Sequence, residues 1–193
     1  MKLYYSPGAC SLASHIALVE IGKPYDKVKV DLKAHRTEHG EDFYAINPKG
    51  YVPTIIDDER GMITENPAVL TRLAGLSGDS LAGQRLSDML QWIGFIGTEL
   101  HGGYHPLFGG DDEDHQAAAK SALAMRYRLA GDLMQGRDWL VDNAPSVADN
   151  YLFVTALWAD KFGVDLPEPI IAFRDRNLAR DAVKQAMAEE GLG

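Results

Sequence analysis

The chain has 193 residues, 46% apolar and 24% charged, the composition of one ordinary globular domain or two small ones. Its net charge of −9 disfavours nucleic acid and anionic membrane as partners. No run of about 18 apolar residues exists to span a membrane, the N-terminus does not read as a secretory signal, and a single cysteine rules out an internal disulfide and fits the reducing cytoplasm.

Leu3–Tyr5 predicts a first strand, broken by Ser6-Pro7-Gly8. From Ser11, Leu12, Ile16 and Val19 fall at helical spacing, and Gly22 and Pro24 end that helix. Val28, Val30 and Leu32 alternate with Lys27, Lys29 and Asp31, a half-buried strand. Strand, helix and strand make a βαβ unit with parallel strands. Residues 33–50 read as loop with one short helix near Glu41–Ala45. Thr54–Asp57 and Met62–Thr64 form a hairpin, and Pro67–Leu76 a closing helix with Asn66 as N-cap. This βαβ–ββα order is that of an α/β thioredoxin-like domain over residues 1–77.

Residues 78–84 are the predicted linker, rich in glycine and aspartate. Everything from 85 to 193 predicts an all-α domain. Met89, Ile93, Ile96 and Leu100 repeat at helical spacing, and a second amphipathic stretch runs from His115 to Met134. Ser146-x-x-Asp149 is a capping box opening a third helix, though Pro145 and Asn150 leave the apolar staple around it weak or absent.

The chemistry-bearing residues fall in few places. Val52 precedes Pro53 and is pushed towards extended backbone, where its N–H and C=O can face a peptide-like ligand. The helix after Glu65 points bare N–H groups and a positive dipole end outwards. A carboxylate beside an anion site suits an amino-acid zwitterion. Cys10 lies at a helix start, which lowers a thiol pKa; as a small buried hydrophobe it would be inert. Without a Cys-x-x-Cys pair a dithiol oxidoreductase is excluded, and monothiol exchange stays open. His101 and His105 share a helix face, but no Glu-x-x-His accompanies them, so neither metal nor cofactor is expected. Lys33, His35 and Arg36 form either an anion site or a solvated cluster.

Val52-Pro53 with Thr64-Glu65-Asn66-Pro67 resembles the glutathione-gripping part of glutathione transferases. The opening Met-Lys-Leu-Tyr-Tyr-Ser-Pro-Gly-Ala-Cys-Ser-Leu resembles the bacterial beta class, and the likeness runs through Glu99-Leu100-His101 and the capping box. The resemblance implies a cis Pro53 and glutathione held by Tyr51, Val52, Pro53, Glu65, Asn66 and Glu99. It implies a basic group, His35 or Arg36, for the glycyl carboxylate. Cys10, with Ser11, would lie beside the glutathione sulfur and His101 near the thiol. A second pocket, mostly from the helical domain and including Tyr5, Gly102 and His105, would take a small apolar electrophile. A detoxifying homodimer conjugating glutathione is implied. The alternatives are glutathione-dependent disulfide exchange or peroxide reduction through Cys10, and a non-catalytic binding protein. Beta-class proteins often carry Asn at Gly94 and Lys at Gly102; glycine there implies a roomier second pocket and a weaker grip on glutathione.

Overall fold

The computed structural model describes residues 1–78, 83–110 and 112–193, so the predicted linker falls largely on residues 79–82, outside the described residues. The chain forms two compact units: Met1–Leu81 together with Arg180–Gly193, and Ala82–Ala179.

In the first unit, β1 (Lys2–Tyr5), α1 (Ser11–Ile21) and β2 (Asp26–Asp31) form the expected βαβ, with β1 and β2 parallel. A strand of two residues, β3 (Arg36–Thr37), and a helix of one turn, α2 (Phe43–Ile46), follow. The hairpin β4 (Thr54–Asp57) and β5 (Gly61–Thr64) leads into α3 (Asn66–Leu76). The sheet order is β3-β2-β1-β4-β5, with β4 antiparallel to β1. Alternation divides its faces. Tyr4, Val28 and Val30 pack with Phe43 of α2 and with Val52 on one face. Tyr5 points the other way, its ring 5.8 Å from that of His15 on α1.

The C-terminal helix α9 (Asp181–Glu190) belongs to this first unit and packs along α1. This corrects the expected division, in which all of 85–193 formed the helical domain. Arg180 pairs with Glu20 near the C-terminal end of α1, and Glu189 and Glu190 reach His15 a turn inside its N-terminal end. Periodicity marks α9 as a helix but does not say which core its apolar face joins.

The second unit contains α4 (Gly83–Phe95), α5 (His105–Gly109), α6 (Glu113–Met134), α7 (Val147–Phe162) and α8 (Glu168–Leu178). Between α4 and α5 the helical path changes gauge, π-helical at Ile96–His101 and then 3₁₀ at Gly102–Tyr104. The glycines there have distinct reasons. A Cβ on Gly103 would stand 2.7 Å from Leu123 Cδ2, so glycine lets α6 approach, whereas a Cβ on Gly94 would meet open space. α7 is buried along most of its length, as befits a helix apolar on several sides. Its N-terminus closes the predicted box: Asp149 accepts from Ser146 N–H at 2.8 Å and from Ser146 Oγ at 2.6 Å. Its other oxygen accepts from Leu140 N–H at 2.9 Å. Pro145 is exposed, in keeping with the missing staple.

Candidate active site

In the first unit three segments meet around Cys10. Its Sγ donates to Val52 O at 3.3 Å. The Asn66 amide donates to Cys10 O at 3.2 Å, and Ser14 Oγ donates to Asn66 Oδ1 at 3.5 Å. The turn at Tyr51-Val52-Pro53, with a cis bond at Pro53, is fastened by Asn47, whose amide donates to Tyr51 O at 2.9 Å. Tyr51 itself is 68% exposed.

Glu65 stands at φ 71°, a left-handed conformation that side chains rarely adopt. The hairpin ends at Thr64 as expected, but the helix starts one residue earlier than expected, at Asn66. Glu65, not Asn66, is therefore the N-cap of α3, and Pro67 is the second helical residue. Asn66 is thereby freed to bind Cys10 O. The Glu65 carboxylate is exposed and lies 2.7 Å from Lys49 Nζ, which also donates to Thr64 Oγ1 at 3.1 Å. Lys49 escaped sequence reasoning because nothing local marks it; only the hairpin brings it to Glu65.

Cys10 departs from expectation. By its accessible surface Cys10 is only half-buried, yet desolvation of the thiol pushes it up to about 12, outweighing the backbone N–H groups of Cys10 and Ser11 that lower it, and the nearby Glu65 charge pushes the same way. The helix start is there, but the desolvation of the thiol prevails. Cys10 is a neutral thiol at pH 7 and donates a hydrogen bond. It should therefore react with maleimide at neutral pH more than about ten-fold slower than free cysteine, and protein isolated without reductant should carry no glutathione adduct. A rate at or above that of free cysteine would overturn this.

Ser11 is fully buried, and its hydroxyl accepts from Ser6 N–H at 3.2 Å, so it braces the Ser6–Gly8 turn. Cys10, not Ser11, occupies the N-cap position of α1. Tyr5 is buried against α1, 7% exposed, with its ring 5.8 Å from that of His15.

The basic residues after β2 diverge. Arg36 is exposed and donates to Gly40 O at 2.9 Å within its own turn. His35 stacks on Tyr44 with ring centroids 4.4 Å apart, and its Nδ1 is buried with no hydrogen-bond partner among the described residues. A Cβ on Gly50 would stand 2.6 Å from the Tyr44 ring and 2.9 Å from His35 Nδ1, so glycine is required there.

In the second unit, His101 Nδ1 lies 2.7 Å from the Tyr151 hydroxyl, and its ring packs edge-on against Trp158 at 5.0 Å. Burial, followed by the neighbouring His105, pushes its pKa down to about 4. It is neutral at pH 7, able to donate or accept one hydrogen bond but not to act as a cation. His105 is exposed at the start of α5, and Gly102 turns the position of its absent side chain back to Gly97 O, 3.6 Å away. Glu99 is paired with Arg126 Nε at 2.7 Å. No group of three or more His, Cys, Asp or Glu is placed to hold a metal among the described residues.

A thioredoxin-like sheet with a cis-proline turn, a strained glutamate at a helix N-terminus and a neighbouring thiol, joined in one chain to an all-helical unit, is the architecture of a glutathione-binding protein. Residues 1–73 match the family described as Glutathione S-transferase, N-terminal domain. The chain is 37% identical to Glutathione S-transferase GstA of Escherichia coli O157:H7, with all of both chains covered. It is similar to the sphingomonad glutathione S-transferase complexed with glutathione, at 38% identity, full coverage of both chains and TM-score 0.94. The bacterial beta-class enzyme of Sphingomonas chungbukensis is similar at 36% identity, full coverage of both and TM-score 0.94. The chain belongs to the glutathione S-transferase family, in its bacterial beta class.

Proposed function

We propose that this chain is a transferase that joins the sulfur of glutathione to small apolar electrophiles. The observation that carries the reading is Glu65 held at positive φ on the N-terminus of α3, with Val52 and the cis Pro53 beside it. The bare N–H groups of α3 suit the γ-glutamyl carboxylate, Glu65 its ammonium, and the extended Val52 backbone the cysteinyl peptide. His35, whose Nδ1 has no partner among the described residues, suits the glycyl carboxylate better than Arg36, whose guanidinium is already engaged.

The thiolate of bound glutathione attacks the electrophilic carbon. A C–S bond forms, the leaving group departs with its electron pair, and the thiol proton passes to solvent. A thiol pKa near that of free cysteine, about 8.5, must fall for this to be fast at neutral pH. The Cys10 S–H can donate a hydrogen bond to sulfur; holding the two reactants together supplies the rest. As a donor, Cys10 is poorly suited to thiol–disulfide exchange, which needs it as a thiolate.

The homodimer reading is supported by an exposed apolar stripe on α6, Met125, Leu129 and Leu133, with Leu90 exposed on α4. Apolar residues repeated along one exposed helix face are a feature of protein interfaces. The free thiol fits residence in the cytoplasm.

One set of measurements on the intact chain tests the reading: retention on immobilised glutathione, turnover over a panel of aryl and alkyl halides, and mass by light scattering. Retention with turnover and twice the 21.2 kDa chain mass is expected. Retention without turnover would make it a binding protein, no retention would remove the glutathione site, and a monomer mass would remove the dimer.

A further inference from the structure

Lys49 belongs to the turn that leads into Val52, and its side chain reaches across to the end of β5. The stem it grows from is pinned. Asn47, 1% exposed, accepts from Lys49 N–H through its Oδ1 at 3.1 Å. The amide of the same Asn47 donates to Tyr51 O at 2.9 Å and to Thr54 Oγ1 at 3.0 Å. Gly50, next in the chain, stands at φ 70° with the Tyr44 and His35 rings against it. From this stem the Lys49 ammonium donates to Thr64 Oγ1 at 3.1 Å and to Glu65 Oε1 at 2.7 Å. One cation thus joins the Tyr51–Pro53 turn to the residue that opens α3.

The Glu65 backbone at φ 71° decides where that side chain leaves the chain, but not where its carboxylate comes to rest. The side chain is 58% exposed, and Lys49 is its ion-pair partner among the described residues. Its second oxygen, Oε2, has no hydrogen-bond partner among the described residues. A carboxylate accepts on both oxygens, so Oε2 can receive an ammonium while Oε1 stays with Lys49. An exposed pair of this kind adds little to folding stability. Its larger effect is on order. A glutamate already held in one place spares an incoming ligand the cost of immobilising it.

We propose that Lys49 is a positioning residue for Glu65, and through it for the α-ammonium of the γ-glutamyl group of glutathione. It holds Oε1, presents Oε2 to the ammonium and does not itself touch the ligand. Thr64 Oγ1 steadies the ammonium of Lys49 from the strand side. The proposal rests on the glutathione reading of this site.

Calorimetry with glutathione on the intact chain tests it. Lys49→Met should raise the glutathione dissociation constant about two- to ten-fold, as for one side chain that must be ordered on binding. The glutathione KM should rise by the same factor, with kcat at saturating glutathione at its wild-type value. The thermal midpoint should stay within about 2 °C of wild type, because an exposed ion pair is lost and no core is opened. In a Glu65→Ala background there is no carboxylate left to place, and adding Lys49→Met should change the affinity no further. An unchanged dissociation constant in Lys49→Met would overturn the proposal. So would tighter binding, which would make Lys49 a competitor for Glu65. A full-size Lys49→Met effect that persists beside Glu65→Ala would also overturn it, by showing that Lys49 contacts the ligand directly. A wild type that binds no glutathione removes the glutathione site and this role together, whereas a wild type that binds, with Lys49→Met unchanged, removes this role alone.

Discussion

Glu65→Ala should weaken glutathione binding by about ten- to a hundred-fold, corresponding to the 1.5–3 kcal/mol of a lost charged hydrogen bond. The fold should survive, because the carboxylate is exposed and its partner Lys49 keeps Thr64 Oγ1. The backbone allows a sharper comparison. At φ 71°, alanine is strained as glutamate is, whereas glycine is not. Glu65→Gly should therefore raise the melting temperature slightly and lose glutathione affinity as Glu65→Ala does. Such a split between stability and binding separates a ligand contact from a structural one. Calorimetry giving equal affinity in wild type and both variants would remove the site from Glu65.

Asp149→Ala should be the most destabilising single change at any capping position. The carboxylate is fully buried and receives Ser146 N–H, Ser146 Oγ and Leu140 N–H at 2.6–2.9 Å. Its removal strands two backbone donors and a hydroxyl in the interior, a cost of about 3 kcal/mol or more. For a chain of this length that is roughly a 6–12 °C fall in the thermal midpoint. Asp149→Asn keeps one acceptor oxygen and should fall less. A scanning-calorimetry midpoint within about 2 °C of wild type for Asp149→Ala would show that the box does not bear on stability.

The sheet and most helices were legible because their cores are written locally. Val28 and Val30 alternate with charge; Leu12 and Ile16 repeat at helical spacing; Ser146 and Asp149 stand three apart. What escaped was set by contacts distant in sequence. β3 is two residues, Arg36 and Thr37, too short and too polar to show a period. Lys49 acquires meaning only when the hairpin brings Thr64 and Glu65 to it. The Cys10 thiol was misjudged for a related reason. A helix start is visible in sequence, but the burial that outweighs it is a property of the packed neighbourhood. The change to a π-helical gauge at Ile96–His101 is not visible in a pattern of Ile93, Ile96 and Leu100 that also suits an unbroken α-helix. The Gly97-Gly102-Gly103 cluster was the one hint, since helices change gauge at positions short of side chains.

The placement of α9 in the first unit has a bearing on how the chain is made. The ribosome emits β1 to α3 before the helix that completes them, with the whole of Ala82–Ala179 emerging in between. Throughout that interval His15 has a buried place waiting for it and neither of its carboxylates yet synthesised. The sheet, made before the helical unit, thus reaches its final packing only after α9 has followed it, while the helical unit, contiguous in sequence, can close as soon as α8 is clear.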